Sequence, residues 1–146
     1  MPVQEETVEK VSIPKWILEL IERYQFQRTV YLKEQKKEYE LRKEFIDPFF
    51  KTLGWDIDND EGNSDRLKDV VHEDPITIRG QTKSIDYSFR TGGTRVFIVE
   101  TKKPSINLFE NNRASNEAAL QLRRYAWNAG LKIGILTNFV LCRKPQ

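Results

Sequence analysis

Two short stretches hold residue types that could act together: Ile85-Asp86-Tyr87 and Ile98-Val99-Glu100-Thr101-Lys102-Lys103-Pro104. Glu100 ends a run of apolar β-formers, Val96 to Val99. An unpaired carboxylate there would be costly. Lys102 follows two residues later, so in a strand it projects from the same face. Asp86 belongs to an alternating segment with Ile85, Tyr87 and Phe89 on one side and Asp86, Ser88 and Arg90 on the other. Two carboxylates about 4 Å apart repel by roughly 4 kcal/mol at an effective dielectric near 20. A divalent cation relieves that repulsion. Mg²⁺ suits such a place because it takes one or two carboxylates, a carbonyl, waters and a substrate phosphate. Lys102 would then stand beside an activated water, able to position or deprotonate it.

The spacing sets a condition on the fold. Gly92-Gly93 marks a turn between the two stretches. If these two residues alone formed the turn, Asp86 would oppose Val99, and Glu100 would point the other way. Convergence needs an odd loop such as Gly92-Gly93-Thr94, or a bulge. The expectation is Asp86 opposite Glu100 within one residue step. By itself an E-x-K step on a strand also describes a surface salt bridge. The upstream acid, the apolar run and Pro104 set this one apart.

A further acid comes from an earlier helical segment. Glu38 shares a stripe with Leu41, Phe45 and Phe49, so it is expected to face the sheet. Arg42, four residues on, could pair with it. Glu40 groups instead with Lys43, Glu44 and Asp47 on a solvated face. Later, Gln121 and Tyr125 are i,i+4 neighbours flanked by Arg123 and Arg124, groups able to orient a DNA strand or phosphate. His72, the single histidine, reads as a strand-end residue without a role, and Cys142 as a small buried hydrophobe. Asp56, Asp58 and Asp60 suggest a calcium loop only briefly. Glu61 stands where the glycine is required and Leu67 where the last glutamate is required.

These residues need elements to carry them. Residues 1–11 read as a flexible charged tail. Ser12 and Pro14 open an amphipathic helix to about Gln27. A second helix covers about Leu32 to Leu53, with a kink or break at Pro48 and a stop at Gly54. Trp55 and Ile57 could start a short strand. Val70-Val71, Ile76–Ile78, Ser84–Arg90 and Arg95–Lys102 are strand candidates, the last apolar on both faces as a central strand would be. A third helix spans about Asn116–Ala129, with Ala118, Leu122, Tyr125, Ala126 and Ala129 as its buried face. Lys132–Thr137 reads as a buried strand, and Val140–Cys142 as a possible last one. Helices, then strands, then helix, then strand argues for an α/β (α+β) fold with a mixed sheet and helices packed against it.

Composition bounds the answer. At 146 residues the chain suits one domain, over 12–146, able to bury roughly 70% of its unfolded surface. Hydrophobic residues at 38% and charged residues at 32% describe a folded domain rather than a disordered one. One cysteine rules out an intrachain disulfide and a Cys-rich zinc site. No apolar run approaches the ~18 residues of a membrane helix, and the acidic N-terminus is no signal peptide, so the expected compartment is the cytoplasm. The net charge is +2. The last 46 residues hold eight Lys/Arg and two Asp/Glu, a basic end that permits contact with nucleic acid.

In order along the chain stand Glu38-x-x-x-Arg42-x-x-Phe45-Ile46-Asp47-Pro48, Leu53-Gly54-Trp55, Asp86-Tyr87, Val99-Glu100-Thr101-Lys102-Lys103-Pro104, Gln121-x-x-x-Tyr125 and Leu136-Thr137-Asn138-Phe139. This set, over about residues 30–140, resembles the PD-(D/E)XK nuclease domain found at the N-terminus of type IIG fused restriction–modification enzymes and of type I restriction-enzyme motor subunits. Ile85 stands where that pattern often has proline. The resemblance implies a restriction-endonuclease-like central mixed sheet flanked by helices, and Mg²⁺-dependent hydrolysis of double-stranded DNA, with Mn²⁺ able to substitute. It implies that Asp86, Glu100, the Thr101 carbonyl and Glu38 hold metal, and that Lys102 activates or orients water. Gln121 and Tyr125 would support the site, with Arg124, Lys103 and Arg42 available to DNA. Members continue into methyltransferase, specificity or motor domains, so a fragment of a larger protein is expected. A silent DNA-binding or docking module, and a nuclease for RNA or recombination intermediates, are the other readings of the same residues.

Overall fold

The structure, a computed structural model, describes residues 12–33, 37–108 and 113–139. Helix α1 spans Lys15–Lys33 and α2 spans Glu38–Leu41; a π-helical turn over Arg42–Ile46 leads into α3, Asp47–Thr52. Strands β1 (Val70–Ile78), β2 (Gln81–Thr91) and β3 (Thr94–Thr101) follow, then α4 (Arg113–Asn128) and β4 (Gly134–Thr137). The sheet order is β1-β2-β3-β4; the first three strands form an antiparallel meander, and β4 joins β3 in parallel after the α4 crossover. This is a mixed α/β fold compatible with a restriction-endonuclease-like architecture. The tail over 1–11 and the candidate strand Val140–Cys142 lie outside the described residues.

The sheet carries two apolar clusters. One joins Leu20, Tyr24 and Tyr31 of α1 and Leu41, Phe45, Ile46 and Phe50 of the following helices to Tyr87, Phe89 and Val99. The other joins Leu122, Tyr125 and Ala126 of α4 to Ile76, Ile85 and Ile98. Helix α1 runs past the expected end at Gln27 because Tyr31 extends its buried stripe and donates a hydrogen bond to Glu44.

The expected kink at Pro48 takes another form. Proline offers no N–H to the carbonyl four residues back, which belongs to Glu44. The Arg23 guanidinium donates to that carbonyl instead. The chain widens into the π turn just before Pro48, where the Asp47 N–H bonds the Arg42 carbonyl.

Other expectations are corrected. Val70–Ile78 is one strand, not two; it lies at the sheet edge, where Pro75 is tolerated. Trp55 and Ile57 form no strand, because the Asp56 carboxylate accepts the amides of Asp60 (2.7 Å) and Glu61 (3.1 Å) and closes a polar loop. β4 is half-exposed rather than buried, since it is the other edge of the sheet.

The β2–β3 hairpin meets its condition through a bulge. Thr91 pairs with Thr94 across Gly92-Gly93, and Arg90 with Arg95, but Phe89 pairs with Phe97. Val96 is the extra residue, and it shifts the register by one. On the other side of β2, His72 pairs with Tyr87 and Asp74 with Ile85. Glu73, between them, has a left-handed backbone with φ 50. At this interruption β2 passes from one apolar cluster to the other, so Ile85 is not packed with Tyr87 and Phe89 as simple alternation predicts.

Candidate active site

The β2–β3 ladder ends at Tyr87 and Val99. Asp86 and Glu100 are the next residue on each strand. The Asp86 N–H, freed from the ladder, donates to Glu100 Oε1 at 2.9 Å. Asp86 Oδ2 accepts from both the N–H and the hydroxyl of Thr101, each at 2.7 Å. Asp86 Oδ1 takes Arg42 Nη1 at 2.6 Å. Glu100 is buried. That burial, and next the Asp86 charge, push its carboxyl up to about 7, against the downward pull of the Asp86 N–H and of Lys102. A smaller upward push comes from Glu38. Around neutral pH this carboxyl sits between its two protonation states.

The helical layer reaches the same place through the π turn. In an α-helix, residues five apart point about 140° away from each other; a π turn brings them onto one side. Arg42 and Asp47 are five apart. Arg42 bonds Asp86, and Asp47 accepts the Tyr87 hydroxyl. Asp47 is therefore buried rather than on the solvated face expected of it. Burial, and then this bond to Asp47, hold the Tyr87 hydroxyl far above its ordinary range. The other Arg42 nitrogen, Nη2, lies 3.6 Å from Glu73. The expected Glu38–Arg42 pair is not formed, because Arg42 is turned to Asp86 and Glu73.

Of the remaining candidates, Glu38, Lys102 and Tyr125 lie within electrostatic reach of this pair. Glu38 is half-buried. Lys102 lies just past the end of β3, half-buried, its N–H bonded to the Thr137 carbonyl at 2.9 Å. Lys103 is exposed. Gln121 Nε2 donates to the Tyr125 hydroxyl at 2.6 Å. Burial raises the Tyr125 hydroxyl, Gln121 offsets this, and the charges of Glu100 and Asp86 add to the rise. Tyr125 of α4 thus lies within electrostatic reach of the two carboxylates, and Gln121 is bonded to it. Arg124 is exposed. His72 bonds the Ile57 carbonyl at 2.8 Å.

Among the described residues, no three Asp, Glu, His or Cys side chains converge into a ready cation cage. Glu38 thus stands apart from the Asp86–Glu100 pair. Mg²⁺ needs no such cage, since it is held by one or two carboxylates with waters and substrate phosphates. Asp86 and Glu100 supply that donor set: Asp86 Oδ1 and Glu100 Oε1 each accept one hydrogen bond and keep a second lone pair to give, while both lone pairs of Asp86 Oδ2 are taken by Thr101. The raised Glu100 carboxyl follows first from its burial and then from the neighbouring Asp86 charge.

No protein-family model matches the chain, and no solved structure matches it. It is 38% identical over 122 residues, 82% of this chain, to the type II restriction enzyme and methyltransferase RM.Eco57I of Escherichia coli. The chain is homologous to part of a restriction–modification protein. It spans 12% of that relative's length. Among the described residues, no helix is long and apolar enough to cross a membrane.

Sequence reasoning missed three participants. Thr101 entered only through its carbonyl, yet its amide and hydroxyl fix Asp86. Glu73 stands across from Asp86 through strand register alone, and nothing local to His72-Glu73-Asp74 gives that. Asp47 carried one usable signal, its place directly before Pro48 in the helix.

Proposed function

We propose that this chain is the DNA-cleaving module of a restriction–modification protein, a divalent-cation-dependent endonuclease acting on double-stranded DNA. The observation that carries the reading is the meeting of Asp86 and Glu100 beside Lys102, at the end of the β2–β3 ladder, in a chain homologous to part of a restriction enzyme. Asp86 and Glu100 would hold Mg²⁺ or Mn²⁺, with the Thr101 carbonyl as a third donor and Glu38 drawn in from α2. A cation bound there supplies Lewis-acid activation of water and neutralises charge on the phosphate. Thr101 fixes the Asp86 carboxylate through two hydrogen bonds. Arg42 holds its other oxygen and stands ready to meet a phosphate. Lys102 orients the attacking water or takes its proton at Nζ. Gln121 and Tyr125 shape the wall opposite. We assign sequence reading and methyl transfer to other parts of such a protein.

The test is nicking of supercoiled plasmid with Mg²⁺ or Mn²⁺. The wild-type chain is expected to nick. Lys102→Ala is expected to keep cation binding in isothermal titration and lose nicking, and Asp86→Asn to lose both. Nicking by Asp86→Asn at the wild-type rate overturns the assignment. DNA binding with no nicking and no cation uptake identifies a silent DNA-binding module instead.

A further inference from the structure

A cleft of about 790 Å³ runs between α4 and the β1–β2 hairpin. Arg79 and Lys83 line it from the hairpin, and Arg123 and Arg124 from the helix. All four residues are exposed. None makes an ion pair with a described residue, and no described acidic residue lines the cleft. Several surface cations elsewhere are paired: Lys15 with Glu19, Lys51 with Asp58, Lys68 with Asp65. Four like charges across one groove raise its potential and draw in an anion.

A second observation concerns the hairpin tip. Ile78 pairs with Gln81, so Arg79-Gly80 is a two-residue turn, with φ 50 and 76. Such turns favour Asn or Gly at the first position. An arginine there, with its Cβ, sits in a strained backbone conformation. What the strain secures is a long cation held out over the cleft. Trp127, 86% exposed, lies on the helical side of the same groove and offers a flat apolar face among the arginines. Gln121 and Tyr125 line the same cleft, and the Tyr125 hydroxyl feels the charges of Glu100 and Asp86.

We propose that this cleft binds the phosphate backbone of duplex DNA, with Arg79, Lys83, Arg123 and Arg124 as the phosphate contacts and Trp127 packing on the sugar or base edge. The proposal rests on the nuclease reading for its destination, the carboxylate pair, but not for the binding itself.

The test is fluorescence anisotropy of a labelled duplex with the full chain in EDTA, across a salt series. Replacing the four cations together by Gln is expected to make the slope of log K against log salt less negative by about 3–4, at roughly 0.9 per phosphate contact. Trp127→Ala is expected to weaken binding about tenfold with the slope unchanged. A four-cation variant that keeps the wild-type slope and affinity overturns the proposal, as does a wild-type chain that binds polyglutamate more tightly than the duplex. Plasmid nicking by the same preparations separates the two readings. Lost binding in the variant with no nicking by wild type supports the cleft and sinks the nuclease. Unchanged binding with nicking intact sinks the cleft alone.

Discussion

Arg42 and Asp86 form a 2.6 Å ion pair that ties the π turn to β2, with their side chains only 14% and 17% exposed. Stripping one partner from a pair this enclosed leaves a charge with little water around it. Arg42→Met and Asp86→Asn are each expected to lose about 2–3 kcal/mol of stability, less than for a fully buried pair because some solvent remains. A double-mutant cycle by urea unfolding checks this. Additive losses would mean that the contact holds nothing together.

Glu73 pairs weakly with Arg42, at 3.6 Å with a 69% exposed side chain, but its backbone is in a left-handed conformation. Glycine adopts that conformation freely, although it loses more entropy on folding. Glu73→Gly is therefore expected to be at least as stable as wild type, and Glu73→Val to lose about 1–2 kcal/mol. Equal destabilisation by both would show that the side chain, not the backbone, matters here.

Gly93 is held by a close approach. Its φ is 83, and a Cβ added there would come within 2.6 Å of the Arg66 carbonyl oxygen. Neighbouring Gly92 has φ 57 and open space. Gly93→Ala is expected to cost about 2 kcal/mol or more, while Gly92→Asn stays within about 0.5 kcal/mol of wild type. Thermal unfolding of the two variants, which reverses in rank if the turn is wrong, decides it.

Much of this was legible from residue type and spacing. The apolar run into Glu100 marks a central strand, and the Gly92-Gly93 spacing requires either an odd loop or a bulge, of which Val96 supplies the bulge. The buried face of α4 follows from its 3–4 spacing. What the sequence hides is set by contacts between distant segments. Arg42 turns to Asp86 rather than Glu38 because a π turn rotates the helix, and a π turn has no local signature beyond Pro48. Asp47 is buried for the same reason. Glu73 reaches the site through a register fixed by the β1–β2 pairing. Edge and centre look alike in short apolar strands, so the sequence alone reads β4 as buried and β1 as two short pieces around Pro75.

The burial that raises Glu100 makes stability depend on pH, and the sign follows from the direction of the shift. Its carboxyl moves from 4.5 to about 7 on folding. The folded chain therefore holds this proton more tightly than the unfolded chain does. The contribution is full below pH 4.5 and is lost as pH rises towards 7, a change of about 3 kcal/mol at 1.36 kcal/mol per pKa unit. Glu100→Gln keeps a neutral acceptor for the Asp86 N–H and has nothing to titrate. In EDTA, wild type and Glu100→Gln are expected to unfold at similar urea concentrations at pH 4.5, and the variant to become more stable by about 3 kcal/mol above pH 7. Urea titrations of both proteins from pH 4 to 8 give the difference directly. A difference that stays constant over that range would mean that Glu100 titrates alike in the folded and unfolded chains, and that Asp86 and Glu100 do not contest one small space.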